Sequence, residues 1–536
     1  MQRLMLLGDE AIGQGAIDGG MSGIYAYPGT PSTEIMEYVQ NSKEATEKDI
    51  QREWSANEKT AMEAALGMSY TGKRAMVCMK HVGLNVAADP FMNSAITGVR
   101  GGLLVVSADD PSMHSSQNEQ DSRFYGKFAM IPILEPSNQQ EAYNMAYTGF
   151  ELSEKLGVPV LMRITTRLSH SRSVVEKQQS KTQRELSLPD DLKQFILLPA
   201  NARGRYANLV KSQPVFEAVA EDSKFNELYP GKNKKLGIIA CGIAYNYLME
   251  NFRDQKPEYP ILKISHYPLP RKKVKKIISS CKEVLIMEEG YPIVEEILKG
   301  FQEKGTKIKG RLDGSLPRVG ELDPNYVAKS LGKKAHYGSK IPDFIPDRPP
   351  ALCKGCGHAD VFNALNEALE KYGKGKVFSD IGCYTLGALP PFNAINSCVD
   401  MGASVTMAVG AADAGLKPSV AVIGDSTFTH SGMTGLLDAV YKKSPITLII
   451  SDNSTTAMTG GQHSLGTNHL HEICLGLGVE KEHLRLIVPL KKNHDDNVKT
   501  IKEELKYNGV SVILAQRECV QTLLKKKKAK GKREVE

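Results

Sequence analysis

The sequence lacks any apolar run long enough to cross a membrane as a helix, which takes about 20 residues. It also lacks the apolar core of a signal peptide, because the opening residues, MQRLMLLGDEAIGQG, soon become acidic. Hydrophobic residues make up 41% and charged residues 24% of the chain, as in an ordinary globular protein. We therefore expect a cytoplasmic protein that does not bind a membrane.

A broadly distributed basic excess is also missing. The formal net charge is +7, but the last twelve residues alone carry seven Lys or Arg and two Glu. A lysine run at a chain end is usually solvated, so we predict a basic disordered tail over residues 521–536. Without a basic surface elsewhere, nothing in the sequence favours binding to nucleic acid.

The cysteines do not form a paired framework. There are nine of them, an odd number that argues against disulfides in a cytoplasmic chain and leaves metal or redox use open. Cys353 and Cys356 form a CxxC pair, which zinc knuckles and dithiol redox sites share, but no second CxxC completes a zinc ribbon. Single cysteines follow at Cys383 and Cys519, and four thiolates can hold one [4Fe–4S] cluster.

The length of 536 residues predicts two to four domains. Over residues 1–185, apolar runs alternate with helical patterns, which indicates a parallel α/β layer; these runs are GIYAYPGT, RAMVCMK, GLLVVSADDP and VPVLMRI. Residues 186–234 are polar and predict an irregular linker. A smaller α/β domain is predicted over residues 235–335, with strands in KLGIIACGIAY, YPILKIS and CKEVLIMEEG.

The proline-rich segment SKIPDFIPDRPPALC marks the next boundary. A third α/β unit follows over residues 345–520, with strands in KVFSDIG, SVAVIGD, ITLIISDN and VSVILAQ. The predicted fold class is therefore α/β, with two doubly wound domains flanking a smaller α/β domain.

A βαβ unit in this last region has polar residues where its two strands end. SVAVIGD ends in Gly424 and Asp425, and ITLIISDN ends in Asn453. Open α/β sheets bind ligands at the carboxyl ends of their strands, and a carboxylate with an amide oxygen suits Mg²⁺. Either residue alone could simply close a turn, but the pair one crossover apart is more specific. The small residues of Thr459–Gln462 suit a phosphate beside them.

Two residues near the start are further candidates. Glu58 shares a predicted helix face with Ala61, Met62 and Ala65. A carboxylate on such a face needs a partner, although Ser55-x-x-Glu58 also fits a capping box. Thr30 precedes a proline that suits the first turn of a helix, which could be a simple helix start.

These motifs resemble those of a known family. GDSTFTHSG and DNSTTAMTGGQ are similar to the metal and diphosphate motif of thiamine-diphosphate enzymes, and in particular to the 2-oxoacid:ferredoxin oxidoreductases. LGDEAIGQGAIDGGM, YPGTPSTEI, NEKTAMEAALG, TTRLSH, EEGYPIVEE and GRLDGSLPRVGELDP resemble the large subunits of the indolepyruvate-type enzymes, so the resemblance covers nearly the whole chain. It implies a pyrimidine-binding domain over 1–185, a transketolase C-terminal-like domain over 235–335 and a diphosphate-binding domain over 345–520.

The resemblance also implies roles for individual residues. Asp425, Asn453 and the Thr455 carbonyl would hold Mg²⁺. Glu58 would activate thiamine through its pyrimidine ring, with Thr30 and His358 beside cofactor or substrate. The remaining cofactor-binding positions are Gly357, Gly424, Ser426, Thr459, Gly460 and Gln462. One [4Fe–4S] cluster would bind Cys353, Cys356, Cys383 and Cys519, with Cys474 in reserve as the fourth ligand.

The implied activity is oxidative decarboxylation of an aryl 2-oxoacid to its acyl-coenzyme A, with electrons passing through the cluster to ferredoxin. A small partner subunit, and so a hetero-oligomer, is expected. One departure is the lack of the CxxCxxCxxxC runs with which many such subunits end. The alternatives are a non-oxidative thiamine-dependent decarboxylase or carboligase, which needs no cluster, and a non-catalytic binding subunit that keeps the fold.

Overall fold

The structure, a computed structural model, describes residues 2–189, 191, 193–252, 257–300, 306–338, 342–345 and 350–533, with only the backbone for 528–533. It divides into two compact units, residues 1–340 and 341–536. Among the described residues, no helix combines the length and the apolar character that a membrane span requires.

The first unit alternates strands and helices along most of its length. Its strands are β1 (Arg3–Leu7), β2 (Gly23–Ala26), β3 (Gln51–Trp54), β4 (Ala75–Lys80), β5 (Leu103–Asp109), β6 (Ile133–Leu134), β7 (Val160–Thr165), β8 (Arg172–Glu176), β9 (Leu228–Tyr229), β10 (Leu236–Cys241), β11 (Ile261–Ile264), β12 (His266–Tyr267), β13 (Glu283–Met287) and β14 (Lys307–Lys309). Its helices are α1 (Gly8–Asp18), α2 (Thr33–Asn41), α3 (Lys43–Glu47), α4 (Glu58–Tyr70), α5 (His81–Val86), α6 (Ala88–Thr97), α7 (Arg123–Ala129), α8 (Gln139–Leu156), α9 (Thr166–His170), α10 (Pro199–Glu221), α11 (Ile243–Glu250), α12 (Arg271–Ser280), α13 (Ile293–Lys299) and α14 (Pro324–Ser330).

A seven-stranded sheet in the order β12-β6-β7-β5-β4-β2-β3 forms the centre of this unit. All neighbours pair in parallel except β12, which runs antiparallel to β6. Strands β4, β5 and β7 are buried along their whole length, as expected for parallel strands covered on both faces. The four strands predicted for residues 1–185 are confirmed as β2, β4, β5 and β7.

A second sheet of the same unit has the order β14-β13-β10-β11-β9. The three strands predicted for residues 235–335 are confirmed as β10, β11 and β13. The segment also supplies β12, whose His266 and Tyr267 pair with Leu134 and Ile133 of β6. Backbone hydrogen bonds therefore tie this segment to the first sheet.

The prediction of an irregular linker over residues 186–234 is wrong in its central part. Helix α10 runs from Pro199 to Glu221, and its buried residues are Leu209, Phe216 and Ala220. With so few buried positions the helix has no continuous apolar stripe, which is the pattern that reveals a helix in a sequence. An internal Pro214 weakens the pattern further.

The second unit is built on one parallel sheet in the order β15-β16-β17-β21-β20, beside a β18-β19 hairpin. Its strands are β15 (Val377–Ser379), β16 (Ser419–Gly424), β17 (Ile446–Asp452), β18 (Thr455–Thr456), β19 (Gln462–His463), β20 (Leu484–Ile487) and β21 (Ser511–Gln516). Its helices are α15 (Gly357–Leu369), α16 (Ala403–Asp413), α17 (Asp425–Thr427), α18 (Met433–Lys442), α19 (Leu470–Gly476), α20 (His494–Glu504) and α21 (Val520–Arg533). The four predicted strands are confirmed, which confirms the α/β class for this unit too.

The prediction of a disordered basic tail is wrong for its described part. Residues Val520–Arg533 form helix α21, while residues 534–536 lie outside the described residues. The helix begins with a hydrogen bond from the Leu523 amide to the Cys519 carbonyl at 3.0 Å. Leu, Lys and Gln are good helix formers, so the run that predicted a solvated end also favours a helix once its first turn is anchored.

Candidate active site

Asp425 and Asn453 lie where the sequence predicts them, at the carboxyl ends of two neighbouring strands. Strands β16 and β17 pair in parallel, with Gly424 opposite Ser451. Asp425 is the first residue of α17, and Asn453 directly follows β17. The βαβ unit therefore brings both side chains to the same edge of the sheet.

Asp425 is buried without a cation to neutralise it. Its Oδ2 atom has no hydrogen-bond partner among the described residues, and no ion pair joins it to a described Lys, Arg or His. Burial and the neighbouring Asp452 carboxylate raise the pKa of Asp425 to about 7. An orphaned carboxylate oxygen beside a second carboxylate fits a divalent cation at this position.

Asn453 is held by two hydrogen bonds. Its Nδ2 lies 3.1 Å from His358 Nε2, and its Oδ1 accepts the Thr455 amide at 3.1 Å. His358 is buried, and burial lowers its pKa to about 4, so its ring is neutral and can accept from the amide. This leaves the second lone pair of Oδ1 available to a cation.

The segment after Asn453 folds back as the β18–β19 hairpin. The Thr455 hydroxyl donates to the Gln462 carbonyl at 2.9 Å, and the Thr459 hydroxyl donates to Gln462 Oε1 at 2.6 Å. Gly460 has φ of 125°, a value that favours glycine. Thr456 donates to Ser426 Oγ at 2.9 Å, which joins the hairpin to the turn that contains Asp425.

The sequence analysis missed two residues of the site, Tyr384 and Asp380. A Cβ on Gly424 would lie 2.6 Å from the Tyr384 ring, so this ring leaves no room for a side chain at Gly424. The Tyr384 hydroxyl donates to Asp380, whose pKa burial raises to about 6. The position of Asp380 directly after β15 was the available signal, because it matches that of Asp425 after β16.

The four cysteines predicted as cluster ligands line one cavity of the second unit. Cys353 and Cys356 flank a turn in which the Cys356 amide donates to the Cys353 carbonyl at 3.0 Å. Gly355 between them has φ of 78°, a left-handed value. Cys383 and Cys519 line the same cavity, together with His358, Asn453 and other residues near the sheet edge. Residues separated by more than 160 positions in sequence thus meet at one place.

These thiols influence one another. Burial, reinforced by the other three cysteines, raises the pKa of Cys383 to about 12. Within the described chain, no three sulfur atoms lie within 4.8 Å of one another. A tetrahedral zinc site would bring them to about 3.8 Å. The predicted reserve ligand Cys474 does not line the cavity and packs in the apolar core with Leu470.

The candidates Glu58 and Thr30 belong to the first unit. Glu58 opens α4 and is buried, on the same face as Ala61, Met62 and Ala65, as the periodicity predicts. The alternative interpretation of Ser55 and Glu58 as a capping box is wrong, because Asn57 caps the helix and pairs with Thr60. A Cβ on Gly83 would lie 2.5 Å from Glu58 Oε1, so glycine makes room for this carboxylate.

Thr30 is half-buried in the loop between β2 and α2. Its carbonyl lies 3.4 Å from the Ser115 hydroxyl, which donates to it. The first helical residue is Thr33, so the predicted placement of Pro31 in the first turn is wrong. Ser32 occupies the position before the helix instead.

A second group of buried charges, also missed by the sequence analysis, lies in the first unit. Arg123 and Arg163 are fully buried, and each is surrounded by carboxylates. Arg123 Nη2 lies 2.6 Å from Asp121, and Arg163 Nη1 lies 2.5 Å from Glu135. We call this the arginine network; it consists of Asp109, Asp121, Arg123, Glu135, Arg163 and Glu288.

Comparisons with known proteins point to one family. The family described as "Pyruvate flavodoxin/ferredoxin oxidoreductase, thiamine diP-bdg" matches residues 14–216, and "Thiamine pyrophosphate enzyme, C-terminal TPP binding domain" matches residues 380–513. The chain is 38% identical to the indolepyruvate oxidoreductase subunit IorA of Archaeoglobus fulgidus, over 99% of this chain and 89% of the relative. It is 39% identical to the subunit of the same name from Methanothermobacter thermautotrophicus, over 97% and 87%.

A solved structure has a similar fold. The 2-oxoglutarate:ferredoxin oxidoreductase from Magnetococcus marinus, determined with 2-oxoglutarate, coenzyme A and succinyl-CoA bound, matches with a TM-score of 0.51 and 16% identity. The match covers 62% of this chain and 65% of that chain, slightly under two thirds of its length. At this identity the likeness concerns the fold alone.

Proposed function

Because the chain belongs to the IorA subunits of indolepyruvate oxidoreductase, within the 2-oxoacid:ferredoxin oxidoreductase family, we propose that it uses thiamine diphosphate to decarboxylate an aryl 2-oxoacid oxidatively. The products are the acyl-coenzyme A and electrons that pass to ferredoxin. We further propose that the working enzyme is a hetero-oligomer with a small partner subunit, since the relatives are themselves named as subunits.

One observation carries the proposal. The four cysteines line the same cavity as Asn453 and His358, and the Cys383 thiol is close enough to Asp425 for that carboxylate to raise its pKa. A candidate cluster site and a candidate diphosphate site therefore adjoin. An enzyme that must move electrons from a thiamine-bound substrate to a cluster requires this adjacency.

Different residues of the second unit would bind the magnesium ion, the rest of the cofactor and the cluster. Asp425, Asn453 and the Thr455 carbonyl would hold Mg²⁺, and His358 orients Asn453 for this task. Gly357, Gly424, Ser426, Thr459, Gly460 and Gln462 complete the proposed cofactor-binding set. Cys353, Cys356, Cys383 and Cys519 would hold one [4Fe–4S] cluster. When bound, thiamine diphosphate supplies an electron sink for the decarboxylation and the cluster supplies a one-electron acceptor.

Glu58 and Thr30 keep the roles that the family resemblance gives them. Glu58 would hold or release a proton at the pyrimidine ring, a task for which a buried carboxyl is suited. Its burial and the space left by Gly83 support this role. Thr30 would contact cofactor or substrate from its loop.

The non-oxidative decarboxylase or carboligase is not favoured. Such an enzyme would need Asp425, Asn453 and Glu58 but no cysteine cluster. The convergence of the four thiols on one cavity has no role in that chemistry.

The Cys383→Ser variant tests the proposal. The chain, co-expressed with a candidate small subunit and purified without oxygen, is assayed for ferredoxin reduction with indolepyruvate and coenzyme A. Cys383→Ser should lose bound iron and ferredoxin reduction while thiamine diphosphate still binds. Cys398→Ser is the matched control, because Cys398 is also half-buried but does not line the cavity. Full ferredoxin reduction by Cys383→Ser would refute the electron path.

A further inference from the structure

Three potential metal ligands from separate segments of the first unit, none of them discussed so far, converge at one place. They are Asp9 near the start of α1, Glu34 in the first turn of α2, and His170 at the end of α9. One ligand atom from each lies within 4.8 Å of the other two. His170 Nε2 lies 3.6 Å from Glu34 Oε1.

The ion pair between His170 and Glu34 does not provide a partner for the buried carboxylate of Asp9 or for the second carboxylate oxygen of Glu34. Asp9 is 0% exposed, and neither of its carboxylate oxygens has a hydrogen-bond partner among the described residues. Glu34 Oε2 is likewise buried without one. Burying a carboxylate without compensation is costly. Three such carboxylate oxygens at one place therefore indicate a missing positive partner.

We propose that Asp9, Glu34 and His170 bind a divalent transition-metal cation, of which Zn²⁺ is the representative. One imidazole with two carboxylates is a ligand set that zinc accepts, and three protein ligands leave a fourth position for water. The side chain of His170 is 36% exposed, so the site has an open side for that water. Bound metal would replace the proton on His170, because only the neutral ring is a ligand.

The site is independent of the proposed magnesium and cluster ligands, all of which belong to the second unit. It joins segments that follow β1 and β7 to the start of α2. Glu34 is four residues beyond Thr30 along the chain. A bound cation would therefore fix the α2 end of the loop that carries Thr30. The proposal does not rest on the function proposed above.

Zinc binding to variants of the full chain tests the site. Purified wild type, His170→Ala and His114→Ala are dialysed to equilibrium against Zn²⁺, and bound zinc and iron are measured by mass spectrometry. His114 is a suitable control because its side chain is 52% exposed and lies 3.3 Å from Glu321, away from the three proposed ligands in sequence. The wild type and His114→Ala should each bind one more zinc per chain than His170→Ala. Equal zinc in wild type and His170→Ala would overturn the proposal.

Zinc that binds to the cysteines adds equally to the zinc content of all three proteins, because all three contain the same cysteines. The iron content reports separately on the cluster, so failure of the zinc site and failure of the proposed function are distinguishable.

A second variant guards against misfolding. Asp9→Asn keeps the shape of the side chain and removes its charge. Zn²⁺ should raise the melting temperature of the wild type by a few degrees more than that of Asp9→Asn, since a ligand that binds only the folded state stabilises it. An equal zinc-induced rise in both proteins would contradict the assignment of Asp9 as a ligand.

Discussion

The arginine network of the first unit and the Asp425 site of the second unit treat buried charge in opposite ways. In the first unit, the carboxylates of the arginine network are paired with Arg123 and Arg163, which are themselves fully buried. In the second unit, Asp425 and Asp452 lie close together, and no ion pair joins either to a cationic side chain of the described chain. Asp109 of the network and Asp425 both lie at the carboxyl ends of strands. The position of a carboxylate in a sheet therefore does not reveal whether a cationic side chain is paired with it. The difference is whether the protein supplies the counter-charge.

This contrast distinguishes structural charge from binding-site charge. A buried carboxylate that is matched by arginine stabilises the fold only as long as both partners are present. A buried carboxylate that has no cationic side chain beside it is stable in its charged form only when a bound ligand supplies a cation. By this criterion Asp425, and in the first unit Asp9, mark sites where a cation binds.

The largest effect is expected where the pairing is complete. Arg163→Met should destabilise the first unit by about 3–5 kcal/mol, because it removes the closest cation from the buried carboxylates of Asp109 and Glu135. Thermal unfolding of the purified protein measures this. Arg172→Met, at an arginine whose side chain is 60% exposed, should change stability by no more than about 0.5 kcal/mol. Similar stability of the two variants would remove the structural role of the network.

Substitution of Glu58 tests whether a buried carboxylate of the first unit has a catalytic role instead of a structural one. Glu58→Gln should keep thiamine diphosphate binding but slow hydrogen–deuterium exchange at the thiazolium C2 position by about 10²–10⁴-fold, because an amide cannot transfer the proton. Nuclear magnetic resonance of the quenched cofactor follows the exchange. Glu63→Gln, on the exposed side of the same helix, should exchange at the wild-type rate. Wild-type exchange in Glu58→Gln would leave Glu58 with no role beyond the helix start.

Asp425→Asn should weaken cofactor binding without lowering stability, whereas Arg163→Met should lower stability. The Asp425→Asn change should weaken Mg²⁺-dependent binding of thiamine diphosphate by about a hundredfold or more, since it removes the only negatively charged side chain from the proposed Mg²⁺ ligands. The melting temperature of the cofactor-free protein should not fall, because no partner loses its charge. Titration calorimetry and thermal unfolding together measure both. Asp438→Asn is the control, at an exposed aspartate paired with Lys442. Tight Mg²⁺-dependent binding by folded Asp425→Asn would contradict the metal assignment.

The smallest effect is a pH dependence. The pKa of Asp425 is raised to about 7, and Mg²⁺ binds only the ionised carboxylate, so cofactor affinity should fall as the pH drops below 7. About tenfold weaker binding at pH 6 than at pH 8 is expected for competition by one proton. Asp452→Asn removes the neighbouring charge and should move the midpoint to lower pH. A pH-independent affinity, or an unmoved midpoint in Asp452→Asn, would show that Asp425 does not control binding.

Much of the second unit could be predicted because local patterns carry its geometry. A buried strand that ends in Gly-Asp, followed one crossover later by a strand that ends in Asn453, leaves few alternatives for where the side chains lie. The convergence of Cys353, Cys356, Cys383 and Cys519 came from the family resemblance, since their spacing alone is compatible with several sites. The structure brings those four positions to one cavity and leaves Cys474 in the core.

The features that escaped prediction have no local signature. The arginine network pairs side chains as far apart in sequence as Arg123 and Glu288, and a single arginine in an apolar strand does not reveal its partner. Asp9, Glu34 and His170 likewise come from three distant segments. Helix α10 lacks an apolar stripe, and six of the 14 residues of α21 are lysines, so neither has the extended apolar periodicity on which helix prediction depends.

The central claim is that the cavity of the second unit holds one electron-accepting cluster next to thiamine diphosphate. Iron, zinc and thiamine analysis of protein purified without oxygen tests it most directly. Four thiolates hold one [4Fe–4S] cluster, so about four irons and one thiamine diphosphate per chain are expected. About twelve irons would need more thiolates than the nine cysteines provide and would reject the single cluster. One thiamine diphosphate with no iron would contradict the account and favour a non-oxidative enzyme.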